Sequence, residues 1–311
     1  MNRRLLLHIG FHKTGTTFLQ DHVFEPPNRG FSSPWSVVGG EAVEHFVLQH
    51  SGRYSAGTVK SEFVAAVAEL GRDEKAVPVI SHEDLCGYPA MHRYYGWDVA
   101  GRLKESFPDA QVLIGIREQK SMIRSTWGEY VRKDGEWPLE EFIGTGEDNP
   151  GFRPICRLDH FEYSLLVNRY IDLFGKENVL VLPYELLRND AVAYEQAVHD
   201  FCGTGVTADV VHPASNVGLG ALTLAIQRRL NRFAKVPPLW AGDRIALPSS
   251  YRAKMRLVRL LQRVIPSAWH DREDRKIRAY ITEVVGSKFK ESNRELSETC
   301  GLDLAAYGYD V

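Results

Sequence analysis

The sequence predicts an α/β fold: a doubly wound, mostly parallel sheet with helices on both faces and a C-terminal helical cover. Three observations carry the prediction. Short apolar runs end at Gly10, Ser81, Ile116 and Pro183, and each is followed by a helical pattern, the alternation that a parallel sheet requires. Beyond His212-Pro213-Ala214-Ser215-Asn216 the strands stop and helices dominate. No internal repeat, low-complexity tract or long linker divides the chain, so one domain is expected over 1–311, with 218–311 a mainly helical extension.

Composition narrows the function classes. With 311 residues, 44% hydrophobic and 25% charged, the chain can bury a sizeable core. A formal net charge of −2 argues against a surface wholly committed to nucleic acid. Cys86, Cys156, Cys202 and Cys300 lack any CxxC spacing, so neither a zinc site nor a disulfide framework is expected. The opening MNRRLLLHIGF has too few apolar residues for a signal-peptide core or a membrane span, and the expected location is the cytoplasm.

The first run, Leu5-Leu6-Leu7 and Ile9, reads as a buried strand leading into a loop with Gly10 and Gly15 five apart. That spacing suits a strand, glycine-rich loop and helix unit that aims backbone N–H groups at a phosphate. A nucleotide triphosphatase would place lysine directly after the second glycine, but Thr16 stands there and Lys13 lies inside the loop. With hydroxyls from Thr14, Thr16 and Thr17, the expected ligand is a single 5′-phosphate whose bridging oxygen meets Lys13. A helix from Thr16 to Phe24 follows, stopped by Pro26 and Pro27.

From Asn28 to about Ser61 the pattern is weak and suggests loops and short helices over a cleft. Phe63 to Leu70 reads as a helix, and Val77 to Ile80 as a strand ending at Ser81-His82-Glu83-Asp84. A carboxylate or imidazole at that strand end could take the proton of an acceptor hydroxyl. Position favours Glu83 as the base, with His82 its competitor, because successive residues leaving a strand point to opposite faces. Asp84 is expected to cap the turn and His12 to pack beside the loop. Trp97 to Phe107 reads as a helix, and Gln111 to Ile116 is the clearest buried strand. It terminates at Arg117, and a helix beginning near Ser121 carries Ser125 in its second turn. A guanidinium and a hydroxyl so spaced can grip a terminal phosphate. Next come an amphipathic helix over Phe161 to Phe174, ended by Gly175, and a strand from Val179 to Pro183.

A phosphate loop without the Walker lysine, followed by strand-Arg117-x7-Ser125-helix, resembles the PAPS-dependent sulfotransferase family, which has a P-loop-like fold. Val179 to Leu187 resembles the family's later strand and turn, and Ser292-Asn293-Arg294-Glu295-Leu296 with Gly301-Leu302-Asp303-Leu304 is similar to the ends of bacterial, carbohydrate-type members. The resemblance implies that Lys13, Thr14, Gly15, Thr16 and Thr17 hold the 5′-phosphosulfate of PAPS, that Arg117 and Ser125 hold its 3′-phosphate, and that Tyr184 contacts the adenine. It also implies transfer of a sulfonate to an acceptor hydroxyl or amine, by family habit on a carbohydrate or glycoconjugate, with PAP as product and no metal. Lys13 would offset charge on the leaving oxygen. The rivals are a P-loop-like kinase, which would lack its lysine, and a non-catalytic polyanion-binding module.

The polyanion reading comes from the helical end, expected as Leu219 to Phe233, Arg252 to Ile265 and Asp274 to about Thr299. Residues 228–263 hold ten basic side chains, including Arg228, Lys235, Arg244 and Lys254, against one acid, Asp243. Arg252, Arg256, Arg259 and Arg263 form a stripe opposite Leu257, Val258, Leu261, Val264 and Ile265. The expectation is a packed apolar face and a solvated basic one; the alternative is peripheral contact with an anionic acceptor or lipid surface through 252–265.

Overall fold

The computed structural model describes residues 4–26, 28–35, 40–71, 75–144, 154–208, 218–233 and 248–311. The chain opens with β1 (Leu6–His8), α1 (Thr16–Phe18) continuing as a π-helical turn over Leu19–Phe24, β2 (Phe31–Ser32), α2 (Glu41–Val43), α3 (Ala56–Leu70) and β3 (Val77–Ser81). There follow α4 (Gly96–Ser106), β4 (Gln111–Ile116), α5 (Gln119–Arg132), α6 (Leu139–Ile143), α7 (Tyr163–Phe174) and β5 (Val179–Pro183). The described elements after β5 are helices, among them α8 (Tyr184–Asn189), α9 (Ala191–Cys202), α10 (Ala221–Leu230), α11 (Pro248–Val264), α12 (Ser267–Val285) and α13 (Lys290–Cys300).

All strand pairs are parallel, in the order β2-β3-β1-β4-β5, with Leu6 opposite Val79 on one side and Gln111 on the other. The chain builds one flank of β1 and then crosses to the other, so the end of β1 opens at the switch point where such sheets bind ligands. Alternation along the strands divides the interior. Leu7, Ile80, Val112 and Ile114 join one core with α3, α4, α5 and α7, whereas Leu6, Val79, Leu113 and Leu182 join another with the first helical turns and α9. The sheet is thus covered on both faces, as the near-continuous apolar runs require.

The C-terminal helices enter the same packing. Ile277, Ile281, Val285 and Leu296 belong to the larger core. Arg124 of α5 bonds Asp274 of α12 at 2.8 Å, and a buried reciprocal amide pair joins Gln119 to Asn293 of α13. Lys254 of α11, 4% exposed, reaches Asp134 at 2.5 Å and Asn231 at 3.1 Å, pinning that helix to the ends of α5 and α10.

Several expectations are corrected. β2 is a fifth strand within the stretch read as loops and short helices; two residues are too few to show a period. The helix expected from Asp274 to Thr299 is two, α12 and α13, broken at Gly286 with φ 50°. The helix expected at Phe63 starts at Ala56, where the Ser55 hydroxyl accepts from the Thr58 N–H. On α11 the apolar face does not pack as a whole: Val258 is buried, but Leu257 and Val264 are exposed. Lys235, Asp243, Arg244 and the 212–216 boundary lie outside the described residues.

Burial also sets a pH dependence. Desolvation pushes buried His8 down to about 3, and desolvation with the nearby His12 does the same to His160. Both groups have an ordinary value of 6.5, so between 6.5 and about 3 only the unfolded chain takes up these protons. Stability contributed by the neutral folded forms is therefore present above that window and lost as pH falls through it, by up to about 1.4 kcal/mol per pH unit for each group. Urea midpoints should drop steadily below pH 6.5, with a shallower slope in His160→Phe. Midpoints that stay level between about pH 6 and 4 would show that these imidazoles do not control acid stability.

Candidate active site at the carboxyl edge of the sheet

The loop after β1 is held open by its own backbone. Phe11 N–H bonds the Gly115 carbonyl of β4 at 3.1 Å, and the Thr14 hydroxyl donates to the Phe11 carbonyl at 2.5 Å. A Cβ on Gly115 would stand 2.7 Å from Thr14 Oγ1, so this strand position must be glycine-sized. Gly15 has φ 90°, a conformation that favours glycine, and a Cβ there would press on a terminal methyl of Leu187. No described residue accepts from the N–H groups of residues 13–17. The Thr16 hydroxyl is buried without a partner among the described residues. Orphan donors converging at the start of a helix fit a phosphate. Thr17 is exposed at the rim, and the Thr14 hydroxyl proton is already committed to Phe11, leaving that residue its free N–H.

Lys13 sits at φ 65° and extends its ammonium to Glu129 of α5, 2.7 Å away. Arg132 bonds the same carboxylate oxygen at 2.6 Å, and the Tyr88 hydroxyl donates to the other at 3.4 Å. Burial pushes the Glu129 carboxyl up, but Lys13 and Arg132 outweigh it and hold the group at about 2. Burial, helped by Glu129 and Asp84, pushes the Tyr88 phenol up, so it remains a donor. Glu129 and Arg132 were not foreseen. The signal was available: positions 121, 125, 129 and 132 share one face of a helix, so the period through Ser125 leads to both.

Arg117 leaves β4 toward this loop. Its Nη1 donates to the Lys13 carbonyl at 3.3 Å, and its guanidinium lies 4.8 Å from the centre of the Tyr184 ring. Its Nε donates to Ser121 at 3.0 Å, so in this state the hydroxyl partner is Ser121, one turn before Ser125. The half-buried Ser125 hydroxyl has no hydrogen-bond partner among the described residues. The Glu118 carboxylate caps α5 by accepting from Lys120 and Ser121 N–H groups, and buried Glu185 accepts from Glu118 N–H and the Tyr309 hydroxyl. Glu185 thereby ties the turn after β5 to the start of α5.

Beside the loop, His82 N–H bonds the His8 carbonyl as β3 ends next to β1. The His82 ring, not Asp84, caps the following turn: its Nδ1 accepts from Asp84 N–H at 3.1 Å. Asp84 instead faces His12 at 3.1 Å, and the His12 ring stacks on Tyr88 with centroids 4.2 Å apart. Burial pushes the Asp84 carboxyl up, but His12 holds it below its ordinary range. Glu83 is half-buried; its carbonyl accepts from the Cys86 thiol at 3.1 Å, and its carboxylate forms no hydrogen bond or ion pair among the described residues. Among those residues no His, Cys, Asp and Glu cluster could hold a metal ion, and no helix is long and apolar enough to cross a membrane.

No protein-family model matches the chain, and no curated protein matches it. Among solved structures, a sulfotransferase from Alicyclobacillus acidocaldarius superposes with a TM-score of 0.50 at 18% identity, covering 86% of this chain and 99% of that one. The sulfotransferase domain of the Synechococcus PCC 7002 olefin synthase gives a TM-score of 0.38 at 13% identity over 85% and 96%, too loose to define a shared architecture. The first likeness establishes the P-loop-like α/β fold that the parallel sheet and its loop describe.

Proposed function

We propose that the protein is a PAPS-dependent sulfotransferase that moves a sulfonate to a hydroxyl or amine of a carbohydrate or glycoconjugate. The observation that carries this reading is the loop itself: free N–H groups at residues 13–17, a buried unpartnered Thr16 hydroxyl, and the sole loop cation, Lys13, inside the loop where a triphosphatase would have it after Gly15. The sulfotransferase fold supports the same assignment. Residues 13–17 hold the 5′-phosphosulfate; Arg117 and Ser125 hold the 3′-phosphate, with Ser121 available in the same grip; Tyr184 bears the adenine.

In the reaction, Glu83 takes the acceptor proton as the acceptor oxygen or nitrogen bonds to sulfur. The bond from sulfur to the 5′-phosphate oxygen breaks in line, and Lys13 offsets the charge that collects on that oxygen. PAP leaves. No nucleic acid partner and a cytoplasmic setting complete the proposal.

The 3′-phosphate grip provides the test. PAP should bind more tightly than AMP, and Arg117→Ala should erase most of the difference, on the order of 1.5–3 kcal/mol for charge-assisted bonds. Calorimetric titration of both nucleotides checks it. Equal affinity of the unaltered protein for PAP and AMP would remove the basis for PAPS as donor, and tighter binding of ATP than PAP would favour a kinase.

A further inference from the structure

Helix α11 meets solvent with two different faces. At about 100° per residue, Arg252, Arg256, Arg259 and Arg263 fall within about 60° of one another. All four are exposed, with no ion pair among the described residues. The adjoining face is apolar: Leu257 is 42%, Leu260 55% and Val264 61% exposed. Among the described residues, the face that joins the body of the protein is the third, through Lys254 and Val258. No acid occurs within Pro248–Val264. Near the start of α12, five positions past Val264, Trp269 is also largely exposed.

A solvated basic face accounts for the arginines but leaves the leucines unexplained. A soluble polyanion likewise needs only the arginines. Apolar and cationic stripes side by side on a helix match the boundary of an anionic bilayer, where aliphatic and indole side chains enter the acyl margin and guanidinium groups reach the headgroup phosphates. We propose that α11 docks the protein flat against an anionic lipid bilayer, Leu257, Leu260 and Val264 inserting while the arginine stripe engages the headgroups. The buried Lys254 anchor fixes which faces point outward, so the surface is presented without rearrangement. This inference stands independently of sulfonate transfer.

Sedimentation of the full chain with lipid vesicles tests it. The protein should pellet with phosphatidylcholine vesicles containing phosphatidylglycerol, remain in solution with pure phosphatidylcholine, and be partly released by high salt. Arg256→Gln/Arg259→Gln should weaken binding by at least about tenfold, and Leu260→Gln/Val264→Gln by about tenfold as well. Unchanged thermal midpoints would establish that both variants remain folded. A wild type that ignores anionic vesicles overturns the proposal. So does undiminished binding by the folded Leu260→Gln/Val264→Gln variant, which would assign the arginines to a soluble polyanion. A dimer abolished by that variant, without vesicle binding, would instead assign the apolar stripe to a second copy of the chain.

Discussion

Glu83→Gln is expected to cut sulfonate transfer by about 10²- to 10⁴-fold, the range for loss of a general base, while leaving PAP affinity nearly intact. An acceptor hydroxyl attacks poorly until its proton is taken, and glutamine keeps the size of glutamate without its basicity. The choice over His82 follows from hydrogen bonding. His82 Nδ1 already accepts a backbone N–H, so its neutral ring carries the proton on Nε2 and has no spare lone pair. The Glu83 carboxylate, with no ion pair or hydrogen bond among the described residues, retains its acceptor capacity. Single-turnover rates with saturating PAPS would measure the effect. A Glu83→Gln enzyme with near-normal rate, beside an inactive but folded and PAP-binding His82→Ala, would move the role to the histidine.

Lys13→Ala should lower the rate constant by about 10²- to 10³-fold, comparable to removing one preorganised donor from a developing anion, while weakening PAPS binding far less. The resting contact explains the asymmetry. Lys13 is shared with Glu129, so a ground-state ligand must compete with a carboxylate 2.7 Å from the ammonium. As charge builds on the leaving oxygen, that competition tips toward the ligand, and the full benefit appears in the transition state. Arg132 remains bonded to Glu129 in the variant, so the carboxylate keeps a cation and the fold is not expected to fail. Separate measurement of kcat and of the PAPS dissociation constant distinguishes the roles. A defect confined to affinity would make Lys13 a phosphate anchor only.

The sequence by itself determined the parts whose signal is local. Apolar runs located β3, β4 and β5 and placed β1, which ends at His8, two residues before the expected Gly10, because a strand buried on both faces is mostly apolar. Gly10 and Gly15 marked the loop by their spacing, and at Gly15 the φ of 90° is a conformation that favours glycine. Arg117 was legible because it ends the clearest strand. Tertiary structure alone decided what depends on partners distant in the chain. It paired Lys13 with Glu129 and Arg117 with Ser121, made His82 rather than Asp84 the cap, added the two-residue β2, and chose Val258 and Lys254 over Leu257 and Val264 as the buried side of α11. Periodicity fixes which residues share a helix face, but a neighbour must arrive to bury that face. On α11 the burial of Lys254 required Asp134 just past α5 and Asn231 at the end of α10, an electrostatic match that no local pattern contains.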